Sequence, residues 1–327
     1  MNLLFTSGGR RVSLIQSFKA ALGQRGRVYA TDLDPTAPAL YVADRGFLSP
    51  SVGDPGYMPY LIDLVRKHQV RAIIPLIDPE IPLIARASDQ FAALGCRVLT
   101  MEAWAVDVSS DKWLTAQFFA KVGVPSPVTA LPLEEKQLPT GLSLPLIVKP
   151  RTGSSAMGVS VCHSLDEVWT ACDRTRDPIL QELLEGEEVT VDVLGDLSGE
   201  VVNVVQRKRL KVRAGEVERG ITIRDPRIEK LALQAAVALK PVGCINLQCF
   251  MTARGPVFTE INPRFGGGYP LTLAAGADFA GPLMKALAGE HVAPTVGSYE
   301  TGVLLLRYDS AVILREKDLL HDQGNHI

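Results

Sequence analysis

Residues 245–268 read Ile-Asn-Leu-Gln-Cys-Phe-Met-Thr-Ala-Arg-Gly-Pro-Val-Phe-Thr-Glu-Ile-Asn-Pro-Arg-Phe-Gly-Gly-Gly. This pattern predicts two short strands joined by a turn at residues 254–256. Side chains alternate between the two faces of a strand, so every second residue shares a face. The shared faces are Asn246, Gln248 and Phe250 on the first strand, and Phe258, Glu260 and Asn262 on the second. The stretch therefore predicts a hairpin on which amide and carboxylate groups converge.

The converging side chains suit a hard cation. Gln248, Glu260 and Asn262 supply oxygen ligands of the kind that Mg²⁺ prefers. Arg264 follows directly, and three glycines at residues 266–268 let backbone approach a neighbour closely. These groups suit metal-assisted phosphoryl transfer. The alternative is a buried hairpin whose polar side chains only satisfy neighbouring backbone.

The order of these residues carries a resemblance to a known family. Asn246-x-Gln248 followed by Glu260-x-Asn262-Pro263-Arg264 resembles the metal-binding end of the ATP-grasp superfamily, in its carbamoyl-phosphate-synthase-like branch. The resemblance implies ATP and one or two Mg²⁺ ions, with Mn²⁺ able to substitute. It also implies an α/β fold in which a Rossmann-like parallel-sheet domain precedes a two-lobed ATP-grasp unit. In that family Arg264 would act in catalysis.

Composition excludes several other classes of protein. A chain of 327 residues with 46% hydrophobic residues predicts two or three domains with sizeable cores. The formal net charge of −2 gives no basic footprint for nucleic acid. No apolar run reaches the ~18 residues that a membrane span needs. Five cysteines without a CxxC pair indicate reduced thiols and a cytoplasmic location.

Residues 1–102 alternate strands and helices, which predicts the Rossmann-like domain. After the first strand, Gly8-Gly9 either directs helix amides at an anion or simply turns the chain. Charged residues at strand ends are candidates to hold a substrate, although each is individually more typical of a solvated loop. They are Arg10, Arg11, Asp32, Asp78 and Glu80.

A glycine-rich loop follows the strand that ends at Lys149. The backbone amides of such a loop can face phosphates, and Lys149 would add a compact charge on the α- and β-phosphates. The loop is not a Walker A motif, because the lysine precedes the glycines. Its candidate nucleotide-binding residues are Gly153, Ser154, Ser155 and Gly158. The resemblance adds Lys112, in a predicted helix over residues 103–124, as the lysine that approaches the α-phosphate.

The family resemblance also places the adenosine. The segment Gln181-Glu182-Leu183-Leu184 matches the hinge whose backbone and carboxylate read adenine. Glu188 matches the acid that holds the ribose hydroxyls, and a carboxylate suits that diol because it accepts two hydrogen bonds.

The densest basic cluster lies at residues 206–213. Either it is a solvated hairpin, or some of its members neutralise the γ-phosphate or the acceptor. Arg207 and Arg209 share a strand face and are the two that we expect to act in catalysis. Residues 214–220 have a glycine near each end, which favours a mobile cover over the site.

Together these motifs predict an ATP-dependent carboxylate–amine ligase that forms an acyl-phosphate and releases ADP and phosphate. The resemblance divides the chain into residues 1–102, an ATP-grasp small lobe over 103–182 and a large lobe over 183–327. The expected partners are a small-molecule carboxylate and amine, with a homodimer as the assembly common in the family. The alternatives are a carbamoyl-phosphate-synthase-type enzyme that phosphorylates bicarbonate or carbamate, and a silent ATP-binding protein.

Overall fold

The computed structural model describes residues 1–153, 158–213 and 215–321. Three β-sheets follow one another along the chain. None of the helices in the described ranges combines the length and the apolar composition that crossing a bilayer requires. Two of the predicted phosphate-loop residues, Ser154 and Ser155, lie outside the described residues.

The first sheet is fully parallel, with the strand order β3-β2-β1-β4-β5. Its strands are β1 (Asn2–Thr6), β2 (Val28–Asp32), β3 (Arg45–Leu48), β4 (Val70–Pro75) and β5 (Arg97–Val98). Its helices are α1 (Val12–Leu22), α2 (Ala39–Val42), α3 (Tyr57–His68), α4 (Ile81–Arg86) and α5 (Ser88–Ala93). The alternation of apolar strands and amphipathic helices thus yields the Rossmann-like domain that the sequence predicts.

The second sheet is antiparallel, with the order β6-β9-β7-β8. Its strands are β6 (Thr129–Ala130), β7 (Leu146–Pro150), β8 (Ser160–Cys162) and β9 (Pro178–Glu182), and helix α8 (Leu165–Arg174) covers it. The predicted helix over 103–124 is instead two helices, α6 (Ala103–Ser110) and α7 (Lys112–Lys121). They are separated by Asp111, which adopts extended backbone and accepts the Trp113 amide as the N-cap of α7.

The third sheet is also antiparallel, with the order β14-β13-β10-β11-β12-β15. Its strands are β10 (Glu187–Gly195), β11 (Val201–Arg213), β12 (Glu216–Ile223), β13 (Gly243–Thr252), β14 (Gly255–Asn262) and β15 (Leu304–Leu306). Helices α9 (Pro226–Leu239), α10 (Tyr269–Ala274) and α11 (Ala280–Leu287) complete this part of the chain. The expectation of a mobile cover at 214–220 is wrong from Glu216 onward, because this segment forms β12 and pairs with β11.

The third sheet has one apolar face and one polar face. Buried residues such as Val191, Leu247 and Ile261 form the apolar face, and α6, α7 and α9 pack on it. Strand register places Asp192, Asn246 and Asn262 side by side on the other face. Since side chains alternate along each strand, burial of the first face directs the polar set to the opposite face of the sheet.

Candidate functional site

The predicted metal hairpin forms between β13 and β14. Gln248 lies directly opposite Glu260, and Asn246 directly opposite Asn262. Directly paired residues of antiparallel strands place their side chains on the same face, with Cβ atoms about 5 Å apart. The amides and the carboxylate therefore converge as the alternation predicts.

The expected position of Phe258 on this same face is wrong. A β-bulge shifts the register between Gln248 and Cys249, so that Phe258 pairs with Cys249. Both residues are fully buried in the apolar core beneath the sheet. One extra residue in a bulge reverses the direction of the following side chains, and strict alternation does not predict such a shift.

The donor set at the hairpin is compatible with a divalent cation. Within the described ranges, no group of three or more His, Cys, Asp or Glu side chains is placed to hold a metal, so a site here depends on amide oxygens. The Nδ2 atom of Asn262 is buried and has no hydrogen-bond partner among the described residues. In the present orientation the Asn262 oxygen accepts from Arg264 at 3.4 Å. The two ends of an amide have the same shape, so the reversed orientation gives up this long contact and directs an oxygen to the buried position. Glu260, Gln248 and Asn262 then supply three oxygen ligands.

Two lysines lie close to this hairpin. Lys149, at the end of β7, is only 6% exposed. Burial lowers the pKa of Lys149 to about 8; the charge of Glu260 opposes this effect and the charge of Lys112 adds to it. Burial likewise lowers the pKa of Lys112, against the charges of Glu260, Asp78 and Asp111. One carboxylate thus lies within electrostatic reach of both ammonium groups.

The start of α7 is tied to the glycine-rich loop. The Lys112 ammonium donates to the Gly153 carbonyl at 2.7 Å, and the Arg151 guanidinium pairs with the Asp111 carboxylate. Gly153 and Gly158 have φ values of 110° and 71°, a region that favours glycine, and they bracket residues 154–157. The two predicted phosphate-binding elements are therefore adjacent in space.

The predicted hinge connects the second and third sheets. Gln181 is buried and donates to the Thr129 hydroxyl at 2.8 Å. The Glu182 carboxylate accepts from the Val128 amide at 3.1 Å and from Arg254 at 2.7 Å. Leu183 and Leu184 follow in the partly buried connection to β10. In this arrangement the side chain of Glu182 fixes the hinge to Val128 and Arg254.

Glu188 and Arg209 form an ion pair across β10 and β11. Arg209 also donates to the Gly215 carbonyl at 3.0 Å, and only 9% of its side chain is exposed. The predicted ribose-binding carboxylate and one of the three predicted catalytic arginines are thus joined in one contact.

The predicted catalytic residue Arg207 lies in a buried ion pair in this structure. Its side chain is 2% exposed and donates to both oxygens of Asp192, at 2.8 and 2.7 Å. Thr272 also donates to Asp192, which is itself fully buried. A Cβ added at Gly268 would lie 1.9 Å from the Arg207 guanidinium. The guanidinium is therefore enclosed between a carboxylate and a glycine.

Arg264 projects from the end of β14 toward the N-terminal sheet. Its guanidinium donates to both oxygens of Asp78, at 2.7 and 3.0 Å, and is 16% exposed at the side chain. Of the five charged candidates in the N-terminal domain, Asp78 is thus joined directly to the predicted catalytic arginine. The loops that follow β4 and its neighbouring parallel strands leave the sheet at the same carboxyl edge.

Glu80 and Asp32 hold the loops rather than face the cleft. Glu80 is completely buried and accepts from Ser7 at 2.7 Å and from the Leu76 amide at 2.8 Å. Burial raises the pKa of Glu80, and these hydrogen bonds oppose that effect. Asp32 accepts from the Gly9 amide at 2.7 Å, so Gly8-Gly9 is part of a fixed turn. Hydrogen bonds to Glu80 and Asp32 therefore fix the turns that flank the Asp78 loop.

Arg10 and Arg11 approach Glu216 on β12, at 4.0 and 3.2 Å. Arg307 also donates to Glu216, at 2.7 Å. Sequence reasoning missed Glu216 and Arg307, and also Asp192. Alternation from Glu188 through Thr190 places Asp192 on the polar face and would have identified it. No local pattern marks Glu216 or Arg307, because their contacts join distant parts of the chain.

Three family models match the chain in succession. A model described as PylC-like, N-terminal domain, matches residues 3–99. A model described as D-ala D-ala ligase C-terminus matches residues 130–214. A model described as ATP-grasp in the biosynthetic pathway with Ter operon matches residues 174–307. The last two span the second and third sheets, which hold Lys149 and the predicted metal hairpin.

Two curated proteins resemble the chain in sequence. The chain is 26% identical over 167 residues to a carbamoyl-phosphate synthase of Methanobrevibacter smithii, covering 50% of this chain and 42% of that protein. It is 28% identical over 237 residues to a probable alpha-L-glutamate ligase of Parasynechococcus marenigrum, covering 66% of this chain and 49% of that protein. The chain thus spans less than half the length of either relative.

The fold is shared with a solved biotin carboxylase domain. This is the domain of the Hydrogenobacter thermophilus 2-oxoglutarate carboxylase, which was crystallised with MgADP, ADP and bicarbonate. The TM-score is 0.75 at 16% identity, over 92% of this chain and 73% of that one. The family models over residues 130–214 and 174–307 identify this part of the chain as an ATP-grasp unit.

Proposed function

We propose that the protein is an ADP-forming ligase that joins a carboxylate to an amine. The observation that carries this proposal is the meeting of Glu260, Lys149 and Lys112 at the cleft between the second and third sheets, beside the amides of Gln248 and Asn262. A carboxylate with oxygen neighbours and two ammonium groups is the charge arrangement that a Mg-nucleotide requires. The names of the ligase relatives support the same chemistry.

The nucleotide would lie along this cleft. Lys149 and Lys112 would neutralise its phosphates beneath the glycine-rich loop. The hinge backbone at Leu183 and Leu184 would read adenine, and Glu188 would accept from the ribose hydroxyls in exchange for its contact with Arg209. Glu260, Gln248 and Asn262 would hold Mg²⁺, which when bound draws electron density from the β- and γ-phosphates.

The reaction then balances without a covalent enzyme intermediate. A carboxylate oxygen of the substrate attacks the γ-phosphorus, and the bond from that phosphorus to the ADP oxygen breaks. Arg264 stabilises the charge that develops on the transferred group. The amine nitrogen next attacks the carbonyl carbon of the acyl-phosphate, and inorganic phosphate leaves. The nitrogen gives up its proton to solvent, and an amide remains.

The test is ADP release from Mg-ATP by the wild-type protein, across amino acids and small carboxylates offered singly and in pairs. Release that needs both a carboxylate and an amine is the expected result and names the substrates. Parallel reactions contain bicarbonate with and without ammonia. Release with bicarbonate alone would favour a carbamoyl-phosphate-synthase-type reaction instead. Tight ATP binding with no release in any reaction would contradict the ligase and favour a silent ATP-binding protein.

A further inference from the structure

Four arginines meet where loops of the N-terminal domain contact the third sheet. Arg264 is matched by Asp78 in a bidentate pair. The other three surround a single carboxylate and are called the arginine cluster here: Arg10, Arg11 and Arg307 around Glu216. Three guanidinium groups and one carboxylate leave a formal charge of +2 at this junction.

Glu216 satisfies only a small part of the donors around it. Each guanidinium carries five N–H groups, whereas a carboxylate accepts about four hydrogen bonds. Arg307 uses one nitrogen on Glu216 at 2.7 Å and another on the Gly267 carbonyl at 2.5 Å. Arg11 lies 3.2 Å from Glu216 and makes no other side-chain polar contact with the described part of the chain. Its side chain is nevertheless only 21% exposed, so most of its donors face the junction.

The cluster is enclosed on the side of the glycine triplet. A Cβ added at Gly267 would lie 2.6 Å from a terminal nitrogen of Arg11 and 3.0 Å from the Glu216 carboxyl. Gly267 follows Arg264 by three residues, so the same loop joins the cluster to the predicted catalytic arginine. Helix α1 begins directly after Arg11, and no side chain caps its N-terminus. Its first amides add positive potential at the same place.

The cluster is separate from the two lysines of the nucleotide cleft. Burial lowers the pKa of Arg11, Glu216 opposes this effect, and Arg264, Arg307 and Arg10 add to it. The charges that act on Lys112 are instead Glu260, Asp78 and Asp111. Asp78 and Arg264 thus lie between two groups of cations. The lysines suit the phosphates of the nucleotide, whereas the arginine cluster is matched only in part, by Glu216.

We propose that the arginine cluster binds a second anionic group of the carboxylate substrate. The substrate class is then a carboxylic acid with an additional carboxylate or phosphate, in which one carboxylate reacts beside Arg264 and the other anion is held by Arg11. This inference rests on the proposed ligase function for the reaction, but the binding itself does not require turnover. A buried arginine that gains a charged partner forms a strong hydrogen bond and offsets its own desolvation.

The experiment measures binding by calorimetry, without ATP, of three matched pairs: L-glutamate and L-glutamine, L-aspartate and L-asparagine, O-phospho-L-serine and L-serine. In at least one pair the anionic member should bind about 10- to 100-fold more tightly than its neutral partner. The aspartate, glutamate and phosphoserine arms distinguish a carboxylate from a phosphate as the second anion. Equal or undetectable binding of both members in all three pairs would overturn the proposal.

Variants then assign the preference to the cluster. Arg11→Met should reduce the preference for the anionic member to less than about 3-fold, whereas Arg11→Lys should retain part of it. Arg307→Met independently removes a different positive charge from the arginine cluster and should reduce the preference in the same way. Arg66→Met is the matched control, because Arg66 lies on α3 and, within residues 1–153, 158–213 and 215–321, forms an ion pair only with Asp63. An unchanged preference in Arg11→Met and Arg307→Met would overturn the assignment, and ADP release measured separately tests the ligase reaction.

Discussion

Asp78 and Arg264 lie 186 positions apart in the chain and form a bidentate ion pair, with N–O distances of 2.7 and 3.0 Å. The pair joins the carboxyl edge of the parallel sheet to the end of the metal hairpin. Arg264 is thereby oriented by the N-terminal domain, which precedes the lobes that hold the predicted nucleotide-binding residues. The N-terminal domain thus determines where the predicted catalytic guanidinium points.

The first prediction concerns this pair. Asp78→Asn leaves the size of the side chain unchanged but removes the charge that orients Arg264. We expect kcat for ADP release to fall about 10- to 100-fold, because the guanidinium loses its fixed position. The Kd for Mg-ATP should change less than about 3-fold. Asp63→Asn on α3 is the control, and a wild-type kcat in Asp78→Asn would contradict the positioning role.

The second prediction concerns the metal hairpin. Glu260→Gln keeps the shape of the side chain and removes the only carboxylate of the predicted donor set. Turnover should fall by at least about 1,000-fold, because the predicted metal site loses its negatively charged ligand. Nucleotide binding should weaken far less, since Lys149 and Lys112 remain. The exposed Glu290→Gln is a matched control, and turnover within 10-fold of wild type would refute the metal assignment.

The third prediction concerns the pair Arg207 and Asp192. Asp192→Asn leaves a guanidinium that is 2% exposed without its countercharge. Removing one partner of a buried pair costs about 3–5 kcal/mol, so the midpoint of urea unfolding should fall strongly. Asp225→Asn, in a pair whose arginine is 65% exposed, should cost less than about 1 kcal/mol. Similar midpoints for the two variants would contradict the structural role of Arg207.

The fourth prediction concerns the pH dependence of nucleotide binding. The pKa of Lys149 is about 8 in the protein without nucleotide, mainly because the lysine is buried. Phosphates need the charged form, so binding above pH 8 must take up a proton. The affinity for a Mg-bound, non-hydrolysable ATP analogue should therefore fall up to about 10-fold per pH unit above pH 8. Lys149→Arg should weaken this dependence because arginine stays charged, and an unchanged slope would refute the role of Lys149.

The fifth prediction concerns how stability changes with pH, and the shifted pKa of Lys149 determines the sign of that change. The folded-state pKa of about 8 lies below the ordinary value of 10.5, so between these values the unfolded chain binds more protons. Stability therefore rises with pH across this window, relative to a variant without the lysine. At pH 7 Lys149 is charged in both the folded and the unfolded state, and burying the charge lowers the free energy of unfolding. Lys149→Met should therefore stabilise the protein by about 1–3 kcal/mol. Urea unfolding at pH 7 and pH 10 measures both values, and a destabilised variant at pH 7 would contradict the burial cost.

Some features follow from the sequence alone because they depend on local periodicity. The alternation in Asn246-x-Gln248 and Glu260-x-Asn262 is sufficient to bring four polar side chains together, because neighbouring strands of a hairpin pair over a short loop. The predicted strand that leads to Lys149 likewise forms, as β7. In each case the decisive contacts lie within a few residues along the chain.

Other features depend on tertiary structure because their partners are distant in sequence. The bulge at Gln248 turned Phe258 into the core, and the strand β12 replaced a predicted cover. Arg207 and Arg209 looked equivalent in the sequence, yet Asp192 encloses one and Glu188 pairs with the other. The sequence by itself determined the residue types and the strand faces of the candidate site. Only the packing of three sheets determined which charges meet, because electrostatic pairing depends on distance in space and not on separation along the chain.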